Sequence, residues 1–122
     1  MITKLAFAAL LLLPAAAQAQ GAKPNDAQIA HIAYTAGAID ITAANQALAK
    51  TSNPQVKEFA TEMARDHKAV NDKALALVKK LNVTPQDNAT SQSLSSAAAA
   101  KQAELAKLSG AAFDRAYVAN EV

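Results

Sequence analysis

The stretch that decides the fold runs from Asn53 to Leu81 and reads NPQVKEFATEMARDHKAVNDKALALVKKL. Its apolar residues recur at steps of three and four, the period of one buried helical face. These residues are Val56, Phe59, Ala60, Met63, Val70, Ala74, Leu77, Val78 and Leu81. The asparagine that opens the stretch is a good N-cap, and Pro54 suits the first helical position because its missing N–H would have no partner there. The sequence therefore predicts an amphipathic helix with His67 on its apolar face.

A helix of similar length precedes this stretch, from the capping-box pair Asn25 and Gln28 to about Lys50. Its polar residues keep a helical phase and predict a solvent-facing side made of Gln28, His31, Thr35, Thr42 and Gln46. The residues predicted to face inward are Ile29, Ile32, Ala33, Ala36, Ile39, Ala43 and Ala47. Asp40 lies on that inward side. Because the break at Thr51-Ser52-Asn53-Pro54 is so short, we expect the two helices to be antiparallel neighbours.

The rest of the chain predicts two further helices. Residues 82–96 are rich in Asn, Thr, Gln, Asp and Ser, which is typical of a connection that becomes helical late. Helices are predicted over Ala97–Leu108, ended by Ser109-Gly110, and over Ala111–Val122. The last segment ends with no Gly, Pro or polar cap, so we expect an unfinished helix and a further helix in the complete product. No stretch alternates as a strand does, and the predicted fold is an all-α antiparallel helical bundle over residues 26–122.

The first 19 residues have the pattern of a secretory signal peptide. Lys4 supplies the positive start, Leu5–Leu13 is an unbroken apolar run, and Ala17-Gln18-Ala19 is the small-x-small pattern that precedes cleavage. A membrane anchor is the alternative, but it needs about 20 apolar residues and this run is shorter. The sequence predicts export through the Sec pathway to the periplasm, a linker at residues 20–25, and no transmembrane segment after cleavage.

Composition excludes several classes of partner and site. The 12 basic and 10 acidic residues are spread along the chain, whereas a nucleic-acid surface needs clustered Lys and Arg, so no nucleic-acid partner is predicted. The chain has no cysteine, which excludes disulfides and thiol chemistry. Aromatic residues make up only 4% and alanine is abundant, so the helices should approach closely and leave no room for a large flat cofactor.

His67 is the most informative ionisable residue. It is either a satisfied imidazole in the core or a group that binds metal or handles protons. A di-iron carboxylate bundle needs Glu-x-x-His on each of two helices. Ala64 stands three residues before His67, and Gln28 stands three residues before His31, so that signature is absent. The other histidine, His31, shares the predicted solvent-facing side and is expected to be solvated.

We expect Asp40 and His67 to face each other across the first helix pair. Asp40 lies twelve positions before Ser52 and His67 lies fifteen after it. The mismatch is three residues, or about 4.5 Å of helical rise, which is short enough for the side chains to meet. A buried carboxylate needs a partner, and an imidazole would supply one.

Several segments resemble the bacterial domain of unknown function 4142 family. They are Ala36-Gly37-Ala38-Ile39-Asp40, Ser52-Asn53-Pro54-Gln55-Val56-Lys57-Glu58-Phe59-Ala60, Met63, Asp66-His67 and Ser109-Gly110-Ala111-Ala112-Phe113-Asp114-Arg115-Ala116-Tyr117-Val118. The resemblance implies a ferritin-like helical bundle in an exported protein of the kind often described as outer-membrane. It also implies an acidic residue at Asp40, the Asp66-His67 pair and the Phe113-Asp114 pair, and a later helix with another histidine that this sequence does not include.

Two hypotheses of function follow. The leading one is a periplasmic helical bundle, associated with the outer membrane and an envelope protein partner, that has a non-enzymatic envelope or stress-related role. The alternative is a ferritin-like protein that binds iron, manganese or zinc, with Asp40, His67, Asp66 and Asp114 as the candidate ligands and further ligands from a later helix. A membrane-surface binder is disfavoured, because no predicted helix combines a basic face with bulky apolar residues.

Overall fold

Four α-helices make up residues 22–122, the part of the chain that the computed structural model describes. They are α1 (Asp26–Lys50), α2 (Pro54–Lys80), α3 (Ala89–Ala106) and α4 (Gly110–Glu121). The prediction of an all-α helical bundle is confirmed. The predicted signal peptide at residues 1–19 and the start of the linker lie outside the described residues. No helix in residues 22–122 is long and apolar enough to cross a membrane.

Each helix runs antiparallel to the one before it along the chain. At one end of α1, the backbone N–H of Gln86, just before α3, donates to the carbonyl of Ala27 at 2.9 Å. At the other end, Lys50 Nζ donates to the carbonyl of Ala106, the last residue of α3, at 2.7 Å. Helix α3 is therefore parallel to α1, while α2 and α4 run the opposite way. Helix α1 contacts all three other helices and forms the centre of the bundle.

The predicted starts of the first two helices are confirmed. Asn25 caps α1 in a capping box with Gln28, so each side chain accepts from the other residue's backbone N–H. Asn53 caps α2 by accepting from the backbone N–H of Gln55 at 2.9 Å, and Pro54 is the first helical residue. Both caps satisfy N–H groups that have no partner within the helix.

The start of α3 was predicted too late. The helix begins at Ala89 and not at Ala97. The reason is a second capping box, in which the Asn88 side chain accepts from the Ser91 N–H and Ser91 Oγ accepts from the Asn88 N–H at 3.1 Å. Asn and Ser side chains disfavour the interior of a helix, because they compete for its backbone hydrogen bonds. At the N-terminus of a helix the same side chains cap free N–H groups and favour helix formation. The boundary before α4 is correct, since Ser109 is its N-cap and Gly110 begins it with a φ of +56°, which suits glycine.

The solvent-facing side predicted for α1 is wrong in part. Thr35 is buried, whereas Ile29 is 50% exposed. A single solvent-facing side suits a helix at the edge of a bundle, but α1 contacts all three of the other helices. The buried apolar core that results comprises Ala44, Ala47, Val56, Ala60, Leu105, Phe113 and Tyr117.

The buried side of α2 is rotated near its middle relative to the prediction. Val70 is 61% exposed, and the neighbouring Asn71 is buried in its place. Gly37 on α1 provides the space, because a Cβ at that glycine would lie 2.3 Å from Asn71 Oδ1. The Asn71 amide donates to the Tyr34 carbonyl at 3.2 Å, so a polar residue is satisfied inside the helix pair. The close helix approach expected from the many small side chains is thus seen at Gly37.

Candidate functional site

Asp40 and His67 meet between α1 and α2, as predicted. Nε2 of His67 lies 3.1 Å from Oδ2 of Asp40, and about a third of each side chain is exposed, 32% for the histidine and 33% for the aspartate. Of the ion pairs in residues 22–122, this one alone joins two helices. The antiparallel register set by the short Thr51–Asn53 turn is what brings them to the same height.

The other ring nitrogen of His67 fixes the orientation of the imidazole. Nδ1 lies 2.9 Å from the backbone carbonyl of Met63, one turn earlier on α2. Since a carbonyl only accepts hydrogen bonds, we assign the hydrogen to Nδ1. Nε2 is then the nitrogen presented to Asp40. The 3.1 Å separation places Nε2 within hydrogen-bond distance of Asp40 Oδ2, so the pair connects the two helices directly.

The Gly37 and Asn71 contact lies next to the pair and sets the distance between the helices. Gly37 is three residues before Asp40 on α1, and Asn71 is four residues after His67 on α2, so both positions adjoin the pair on the same helix faces. The close backbone approach at the glycine lets the two short side chains reach each other.

Helix α4 brings two further ionisable residues toward the pair, and the sequence reasoning missed both. Tyr117 is fully buried, and its ring packs between Phe59, at a centroid distance of 6.0 Å, and Phe113, at 6.1 Å. Burial raises the pKa of Tyr117 to about 12, and the carboxylates of Glu121 and Asp40 act in the same direction. The spacing of four between Tyr117 and Glu121 was the available signal, because it puts both residues on one helical face.

Glu121 responds to the same group of charges. Its pKa is raised, first by burial and then by the Asp40 carboxylate, while the hydrogen bond from Asn120 and the His67 imidazole oppose the change. The Asp40 carboxylate therefore acts on both ionisable residues of α4, and Glu121 acts on Tyr117 as well.

The other two predicted ligands, Asp66 and Asp114, lie elsewhere. Asp66 is on the exposed side of α2, where Arg65 Nε donates to it at 2.7 Å and lowers the pKa of that carboxyl. Asp114 Oδ1 accepts from Thr51 Oγ1 at 2.6 Å, beside the turn between α1 and α2. Thr51 is eleven residues from Asp40, or about 16 Å along α1. Neither aspartate joins the Asp40–His67 pair.

A groove between α1 and α3 opens beside the pair. Its volume is about 710 Å³, and Asp40, Leu94, Leu105 and Asn120 are among the residues that line it. His31, predicted to be solvated, is partly buried in this groove, with Nδ1 3.4 Å from Thr35 Oγ1 and 3.7 Å from Asp87 Oδ1. Asp40 thus touches His67 on one side and an open, mainly apolar groove on the other.

The Asp40–His67 pair offers two atoms of the kind that bind metal ions. One imidazole nitrogen and one carboxylate oxygen are ligands that zinc, iron and manganese accept. Two ligands bound at about 2.1 Å to one ion lie about 3.0 to 3.4 Å apart in octahedral or tetrahedral geometry, which brackets the observed separation. As the side chains stand in residues 22–122, no three His, Cys, Asp or Glu residues are grouped closely enough to hold a metal ion.

Comparison with known proteins gives one match. The family model described as Domain of unknown function (DUF4142) matches residues 11–122. The match covers every segment on which the resemblance was based. Searches of the curated proteins and of the solved structures found no match to this chain.

Proposed function

The chain belongs to the Domain of unknown function (DUF4142) family, and we propose that it is an exported periplasmic helical-bundle protein with a non-enzymatic, envelope or stress-related role. The Asp40–His67 contact carries this proposal. Nε2 of His67 contacts Oδ2 of Asp40, and the second imidazole nitrogen, Nδ1, is hydrogen-bonded to the Met63 carbonyl. Such a pair links the two helices directly, which supports a structural role for it.

Support for export comes from the order of features in the first 19 residues. A positive residue, an apolar run and Ala17-Gln18-Ala19 follow one another as a signal peptidase requires. The test is the intact mass of the protein in the periplasmic fraction, which should correspond to a chain that begins at Gln20. A mass that retains Leu5–Leu13 would show that the segment is an anchor and would refute this part of the proposal.

A second candidate function, binding of a divalent metal ion at Asp40 and His67, is favoured by the Met63 contact. Metal-binding histidines usually donate their other ring N–H to a carbonyl or a carboxylate, which fixes the ring and directs the remaining nitrogen at the metal. His67 has this arrangement, with Nε2 beside a carboxylate oxygen. Iron, manganese and zinc are the candidates, since each accepts mixed nitrogen and oxygen ligands.

Metal content separates the two candidates. The protein is isolated from the periplasm without chelators, and metals are measured per chain in the wild type and in the His67→Gln variant. A stoichiometric metal that is lost in the variant favours the metal-binding protein. Absence of metal in both, together with a stability loss in the variant, favours the structural pair. His31→Gln is the matched control, because His31 is the only other histidine in the sequence.

A further inference from the structure

The second half of α2 carries an apolar face that stays exposed in residues 22–122. Val70 is 61% exposed, Leu77 is 55% exposed and Leu81 is 62% exposed. Near the start of the same helix, α4 covers this side, since Phe59 packs edge-on against Tyr117 at a centroid distance of 6.0 Å. A contiguous exposed apolar face on a folded domain marks an interaction surface.

The residues of this face have the spacing of a coiled coil. We call them the α2 seam; they alternate in steps of four and three, and all but the histidine are apolar. They are Met63, His67, Val70, Ala74, Leu77 and Leu81. Two contact positions in every seven residues let one helix pack along another over its whole length. Asn71, beside the seam on one edge, is buried against Gly37 of α1. The seam therefore suits a further helix that packs beside α1.

The other edge of the seam is charged and is complementary to itself. Asp66, Lys73 and Lys80 follow one another at intervals of seven and are all exposed. The acid and the last base are symmetric about Lys73, so an antiparallel second copy of α2 would bring each Asp66 opposite the other copy's Lys80. Lys80 makes no ion pair in residues 22–122, and Asp66 uses only Oδ1, toward Arg65. These two attractive contacts outnumber the single contact between the two Lys73 side chains.

We propose that the α2 seam is the interface of a symmetric dimer, in which a second copy of this chain packs its own seam antiparallel, with Lys73 nearest the two-fold axis. In that register Val70 of each copy packs against Ala74 of the other, and Leu81 packs against Met63. A two-fold dimer uses the same patch on both copies, as a self-complementary surface requires. A standard interface uses about 20–30 residues a side. One helical seam supplies fewer, so the dimer is reversible and depends on concentration.

The test is analytical ultracentrifugation of the exported protein over a series of concentrations up to about 1 mM, which detects even weak association. The wild type should show a monomer–dimer equilibrium. Leu77→Glu should weaken the dimer at least about tenfold, because it places a charge in the seam of each copy. The matched control is Leu75→Glu, the same change on the same helix. Leu75 is 39% exposed and lies about 160° around α2 from Leu77.

An exchange of charges tests the register. Asp66→Lys and Lys80→Glu should each weaken the dimer, and the variant with both changes should recover most of the wild-type affinity. Residues 66 and 80 are fourteen positions apart on one helix, or about 21 Å, so such a recovery arises between copies and not within one. Lys73→Gln should tighten the dimer, because it removes the like-charge contact nearest the axis.

Each outcome bears on one part of the proposal. A protein that stays monomeric at every concentration refutes the dimer, including the case in which another segment of its own chain covers the seam. Equal weakening by Leu77→Glu and Leu75→Glu refutes the seam as the interface. Weakening by Leu77→Glu without recovery in the exchanged variant refutes the antiparallel register. Far-UV circular dichroism checks that each variant keeps its helices.

Discussion

Breaking the Asp40–His67 pair should reveal a direct energetic coupling between α1 and α2. The perturbations are Asp40→Asn and His67→Gln, singly and together, and the quantity is the free energy of unfolding. Exposed ion pairs contribute about 0.2–1 kcal/mol. Hydrogen bonds to charged groups contribute about 1.5–3 kcal/mol. With a separation of 3.1 Å and about a third of each side chain exposed, the pair lies between these cases, and we expect a coupling energy of about 1–1.5 kcal/mol.

The assay is urea unfolding followed by far-UV circular dichroism, at low and high salt. The matched control is a second double-mutant cycle on Lys68 and Asp72, an exposed pair within α2 that lies 2.6 Å apart. Its coupling should be about 0.3–0.5 kcal/mol, as for other pairs one helical turn apart. The reasoning is refuted if the losses from Asp40→Asn and His67→Gln add to within about 0.3 kcal/mol, the level typical of residues that do not interact.

Three further predictions concern the surroundings of the pair. Gly37→Ala should lower the free energy of unfolding by about 1 kcal/mol, because overpacking against the Asn71 amide outweighs the gain in helix propensity; the loss should disappear in the Asn71→Ala background. Asp114→Ala should cost about 1–2 kcal/mol by leaving the Thr51 hydroxyl without its acceptor, and Asp114→Asn should cost less because an acceptor oxygen remains. The pKa of Tyr117 is raised from 10.0 to about 12, so its burial stabilises the fold below pH 10 and that contribution is lost as the pH rises toward 12. Unfolding free energies measured against pH should show this alkaline loss in the wild type and not in Tyr117→Phe.

The sequence predicted those parts of the fold that depend on local signals. The caps at Asn25 and Asn53 and the short turn after Lys50 set the lengths and antiparallel register of α1 and α2. Register along two antiparallel helices follows from counting residues away from the turn. The contact between Asp40 and His67 was therefore accessible without a structure, because both residues lie within one hairpin of helices.

Features that depend on three helices at once were not accessible in this way. Thr35 is buried because α1 is surrounded by the other helices, a fact about packing that no periodicity within α1 reveals. The same limit applies to the site. Asp114 follows a phenylalanine in the core, but its carboxylate accepts a hydrogen bond from Thr51 in the α1–α2 turn. Glu121, in contrast, has its pKa raised by the Asp40 carboxylate. Which of these two acidic residues lies nearer to Asp40 depends on how α4 packs against the other helices. The burial of Phe113 and Tyr117 sets that packing.

The most direct test of the claim that Asp40 and His67 form one unit is the nitrogen chemical shifts of the two imidazoles in the ¹⁵N-labelled exported protein. In the wild type, Nδ1 of His67 should be protonated and hydrogen-bonded. Asp40→Asn should move the Nε2 resonance of His67 strongly and leave both nitrogens of His31 where they are. Unchanged His67 resonances in Asp40→Asn would contradict the pairing.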